Sequence, residues 1–160
     1  MKIGLALHEL HRAENELAEK LLHVSDRHKA DHEIHHLARD LARWSQRHVR
    51  ELAEAGRRYD VDLNPEPRGE THLMARARDK LSDAVGREPQ ASLLLLIDLR
   101  EVYMRCAGVS ADWELLAQVA QGVKDAELLA LSKKCHPETL RQMRWANAKL
   151  KESATQILVS

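Results

Sequence analysis

A chain of 160 residues is long enough to fold as one compact domain, residues 1–160, around a core that needs no disulfide or metal staple. Its 25 Lys and Arg balance its 25 Asp and Glu, and no basic run interrupts that balance, so no field gathers nucleic acid or an anionic membrane. The longest unbroken apolar run, residues 93–97, is far too short to cross a bilayer, and no leader pattern opens the chain, which together predict a cytoplasmic protein with no membrane partner.

Phe is absent and Gly and Pro are scarce, while Ala, Leu, Arg and Glu abound, and those residues lose little on entering a helix. The helical period recurs throughout, with no sustained β-type alternation, so the expected class is all-α. A first helix is expected over residues 3–27 and a second over residues 31–58. The very short link at residues 28–30 forces them into an antiparallel hairpin. Residues 59–70, YDVDLNPEPRGE, break helix and begin a crossover that extends to residue 88 and carries a short amphipathic helix over residues 71–85. The second half, residues 89–158, is expected to open with a helix over residues 89–107, closed by Gly108. Ser110 then caps a short helix over residues 111–121. The last helix starts near Lys124, and Pro137 should kink or split it. The predicted architecture is a four-helix bundle of two antiparallel hairpins joined by a long crossover, with additional short helices. Cys106 and Cys135 both fall in apolar helical settings and are expected to be reduced and buried.

Two polar residues sit where apolar ones belong. The first helix carries Ile3, Leu7, Leu10, Glu14, Leu17, Leu21 and Val24 on one stripe. The second carries Ile34, Leu37, Leu41, Trp44, His48, Leu52, Ala55 and Tyr59. Folding the hairpin about residue 29 brings Glu14 and His48 within about 4.5 Å in depth. A buried carboxylate is costly unless it is paired or bound to a cation. The pair therefore reads either as a structural hydrogen bond or as part of a metal ligand set, with His11 and Asp98 as further candidate ligands. A third reading, a buried acid–base couple acting on a small ligand, needs a substrate cavity, and no motif indicates one.

The segments LHELHRAENELAEKLL and LARWSQRHVRELAEAG resemble the first helical hairpin of ferritin-like proteins. The likeness is greatest to the YciE/YciF-like bacterial stress-response branch, whose first helix carries an L-x-D-L-x-x-A-E-x-x-L pattern. In ferritin-like di-iron proteins two helices each supply a Glu and two others a Glu-x-x-His, all pointing inward. The resemblance implies that Glu14 matches the first Glu and His48 the His of Glu-x-x-His. Ser45 stands where the Glu of that motif should be, and the last helix contains no Glu-x-x-His: Arg141, Arg144, Gln142 and Trp145 hold the corresponding depth. A usual six-ligand di-iron centre cannot be built from this chain. The bulky Trp44, or else Trp145, is expected to fill the space that iron takes in relatives.

The histidine-rich turn places His28, His32 and His36 at successive i, i+4 spacings, the pattern that chelates zinc or copper, or else forms a solvated polar cap. The reading adopted is a non-catalytic ferritin-like bundle that has lost its complete di-iron centre and serves as a binding or structural protein, related to stress as the resemblance implies. No cofactor is expected. Its alternative is a metal-binding or oxidase-type protein with iron or zinc at a partial site on Glu14 and His48. The apolar excess of SLLLLIDL, residues 92–99, predicts a homodimer.

Overall fold

A computed structural model describes residues 2–68 and 88–160, and among these the regular structure is four α-helices and no strand. Helix α1 spans Ile3–Arg27, α2 His32–Arg57, α3 Glu88–Gly122 and α4 Ala126–Leu158. Asp31 caps α2 by accepting from the Ile34 amide at 3.1 Å, and Asp125 caps α4 by accepting from the Leu128 amide at 3.0 Å. No described helix is long and apolar enough to cross a membrane.

Each helix turns one seam inward, stepping alternately by three and four residues. On α1 the seam runs Leu7, Leu10, Glu14, Leu17, Leu21. On α3 it runs Leu99, Val102, Cys106, Val109, Trp113, Leu116, and on α4 it runs Leu128, Ser132, Cys135, Thr139, Gln142, Ala146. The packing partners form a ring: α1 lies between α2 and α3, and α4 between α3 and α2. Cross-helix contacts fix the directions. Residues 14, 16 and 20 of α1 meet residues 113, 105 and 98 of α3. Residues 33, 45 and 48 of α2 meet residues 149, 142 and 138 of α4, and Arg58 just past α2 meets Asp125, the cap of α4. Ring neighbours are therefore antiparallel, while α2 and α3 run parallel across the diagonal.

The chain leaving α2 turns back along α1. Tyr59 and Val61 bond the Gly56 carbonyl, and Asp60 takes a positive φ of 54°. A Cβ at Gly56 would meet the Val61 carbonyl at 3.0 Å and Leu63 at 3.1 Å, so a larger residue would push this close turn outward by a few tenths of an ångström. Leu63 is buried, the Asn64 carbonyl meets the His11 ring at 2.8 Å, and the Arg68 amide donates to Asn15 at 3.1 Å. The expected short helix over residues 71–85 lies outside the described residues.

Three expectations are corrected. Gly108 does not close a helix, and there is no separate short helix over residues 111–121, because α3 continues to Gly122. The buried seam crosses Gly108 without change of phase, and burying Val109, Trp113 and Leu116 outweighs the roughly 1 kcal/mol that an exposed mid-helix glycine costs. Pro137 does not split α4. It sits on the exposed side, where the one helical bond it removes does not expose the buried seam. On α2 the inward positions include Ala38 and Ser45 rather than Leu37 and Trp44. These small side chains leave room for Gln142, whose amide donates to the Leu41 carbonyl and Ser45 Oγ, both at 2.9 Å.

Candidate functional site: a buried charge relay at Glu14 and His48

Glu14 on α1 and His48 on α2 are both fully enclosed, and His48 Nδ1 lies 2.8 Å from Glu14 Oε1. The same carboxylate oxygen accepts from the indole N–H of Trp113 on α3, also at 2.8 Å. The Trp113 and His48 rings meet edge to face, with centroids 5.8 Å apart. On its other side His48 Nε2 lies 3.3 Å from Glu138 Oε1 on α4, and Glu138 in turn accepts from Arg47. One residue from each helix therefore meets at a single level of the bundle, with the half-exposed Arg47 as the outer end.

The chemistry of the donors decides the protonation. Carboxylate oxygens only accept, so an imidazole with an ionised carboxylate at each nitrogen carries a proton on both. Burial alone pushes His48 down. The charge and hydrogen bond of Glu14, with the hydrogen bond of Glu138, outweigh burial and hold its pKa above the ordinary value of 6.5. Burial likewise pushes Glu138 up, but its bonds to Arg47 and His48 win and lower it. Along the row Arg47, Glu138, His48 and Glu14, basic and acidic groups alternate, and that alternation makes so many ionisable groups tolerable in a buried seam. Burial pushes both nearby thiols, Cys106 and Cys135, well above the ordinary value, so neither is a ready nucleophile or metal ligand.

The other candidate residues lie elsewhere. His11 is bonded to the Asn64 carbonyl and takes no part in the cluster. Asp98 is buried against Lys20 Nζ at 2.9 Å, Arg27 Nη1 at 3.2 Å and His28 Nε2 at 2.7 Å. Those partners lie about 9–21 Å further along α1 and its end than Glu14. Burial raises Asp98, but the bonds from His28 and Lys20 and the charges of Lys20 and Arg27 lower it to about 2. This inward salt bridge removes His28 from the predicted chelating row. His32 and His36 remain together on the surface with stacked rings, centroids 6.3 Å apart, and His36 also meets His35 edge-on at 5.0 Å. Among the described residues no group of three or more His, Cys, Asp or Glu side chains is placed to hold a metal ion.

The bulky residue at the cluster is Trp113, not Trp44 or Trp145, which pack at the edge of the core. Sequence reasoning missed both Trp113 and Glu138. The seam of α3 gave a usable signal for Trp113, because it continues in phase through Gly108. Glu138 precedes a seam position by one residue and gave none.

Among the described residues, open surface clefts of about 400, 660 and 360 Å3 are lined by neither Glu14 nor His48. The 660 Å3 cleft lies where the chain after α2 crosses the start of α1, beside Leu5, His8 and Tyr59. Comparison with protein-family models, with curated proteins and with solved structures found no match.

Proposed function

We propose that this protein is a ferritin-like bundle in which internal ion pairing has taken the place of a dinuclear metal centre, and that it acts without catalysis as a binding or structural protein. Support for the architecture comes from the helix directions, with two antiparallel hairpins and parallel α2 and α3, the arrangement a long crossover produces. The observation that carries the functional reading is the double engagement of His48. A doubly protonated imidazole has no lone pair to offer a metal. Glu14 Oε1 already accepts two donors, Glu138 is held by Arg47, and Ser45 donates no charge where the motif requires a carboxylate. This donor set does not fit a di-iron centre. A stress-related role follows from the family resemblance alone.

One observation favours the alternative, a partial metal site: Glu14 Oε2 is buried and accepts no hydrogen bond from a described residue. Metal analysis of protein purified after growth with iron and zinc separates the two readings. The proposal expects far less than one equivalent per chain, with no spectral change on adding ferrous iron in air. A stoichiometric metal that is lost in Glu14→Gln would establish the alternative.

A further inference from the structure

The outer side of α3 carries a second stripe, half a helical turn away from its buried seam. Leu93, Ile97, Met104, Ala107, Ala111 and Leu115 lie on one face, three or four residues apart except between Ile97 and Met104, where Arg100 occupies the intervening turn, and all are exposed. Leu115 and Ile97 are 62% and 59% exposed, the behaviour of interior residues left outside. At the middle of the stripe lie Ala107, Gly108 and Ala111. A side chain added at Gly108 would meet nothing within 4 Å, so nothing in the chain's own packing calls for a glycine there.

We propose that this face of α3 binds the same face of a second copy, antiparallel, about a two-fold axis that passes beside Ala107. Two features select a second copy as the occupant. The small residues fall at the crossing point, where a helix pair needs them for its backbones to approach within 8–10 Å. The charges are also self-complementary. Arg100 interrupts the stripe and Glu114 flanks it, each seven residues from Ala107 and on the same side of the stripe's centre line, and neither has an ion-pair partner among the described residues. In the antiparallel pair each Arg100 comes level with the partner's Glu114, and symmetry makes the contact twice. Met104 of each copy then lies over the partner's Ala107 and Ala111, large against small. A contact surface of one helix on each side is at the small end of specific interfaces, so the expected dissociation constant is about micromolar.

The test is charge reversal on the full chain, read by light scattering and sedimentation, with circular dichroism to confirm that each variant is helical. The unaltered protein should form a dimer above micromolar concentration. Arg100→Glu and Glu114→Arg should each weaken it about tenfold, and the double reversal should restore it. As a measure independent of folding energetics, Ala107→Cys should form an interchain disulfide under mild oxidation, since Cys106 and Cys135 are buried. A chain that stays monomeric well above micromolar concentration overturns the proposal and leaves the stripe to a different partner. A dimer indifferent to both reversals, with no crosslink at position 107, overturns it as well.

Discussion

Glu14 is tolerable at the centre of the bundle only because two other helices answer it, with His48 and Trp113. Removing its charge in Glu14→Gln leaves the His48 cation facing Glu138 alone, and breaking a buried pair from one side should cost about 3–5 kcal/mol. Trp113→Phe removes the donor to Oε1 together with the five-membered half of a fully buried indole, and should cost at least about 1–3 kcal/mol. Urea unfolding of both variants and their combination measures the coupling. A Glu14→Gln protein as stable as its parent would mean that the carboxylate is not engaged as described. Asp98 is a separate case with its own pH range. Its native pKa near 2 lies below the ordinary 3.8, so its contribution is complete above about pH 4 and fades as pH falls towards 2. The size is about 2 kcal/mol for a group this deeply buried. Asp98→Asn should flatten the acid limb of the stability profile over that interval.

Among the elements, α4 carries the most evident unused stability. Pro137 is exposed inside the helix and lacks the amide that would bond the Lys133 carbonyl. Pro137→Ala should therefore stabilise the protein, by about 1–3 kcal/mol in chemical denaturation. A loss of stability would show that the proline sets the course of α4 past α2. Asp125 acts in the opposite sense. It caps α4, accepts from the Tyr59 hydroxyl and pairs with Arg58, so Asp125→Ala removes a cap and a latch between α4 and the end of α2, and should cost at least about 1 kcal/mol. Legibility in the sequence follows connection length at this scale. The short link between α1 and α2 fixes their register, which is why Glu14 and His48 can be paired from the sequence alone. No such link ties α2 to α4 or α1 to α3, so the arrival of Glu138 and Trp113 at the same level could not be read before the fold was known. Local breakers misled for the opposite reason. Gly108 and Pro137 are weak stops when a seam of buried side chains runs on in phase beyond them.

At the scale of the whole molecule, the central row and the Asp98 cluster are two separate buried groups of ionisable side chains, and their pH dependences oppose each other. The native pKa of His48 lies above 6.5, so its stabilisation is complete below that value and is lost as pH rises through the native pKa. Together with Asp98 this predicts a stability maximum between about pH 4 and the native pKa of His48, declining on the alkaline side. The decline should vanish in His48→Gln. All-α class and the first hairpin were legible because composition and periodicity act over many residues at once. The inward positions of α2 were not, because small residues such as Ala38 and Ser45 carry little apolar signal and become interior only when another helix supplies the side chain that covers them.

The central claim is that His48 is a cation held between two carboxylates rather than a metal ligand. Long-range proton–nitrogen NMR of the His48 ring tests it most directly. Both ring nitrogens should be protonated at neutral pH and unchanged when zinc or ferrous iron is added. A neutral ring with one bare nitrogen, or a His48 signal that moves stoichiometrically with added metal, would contradict it.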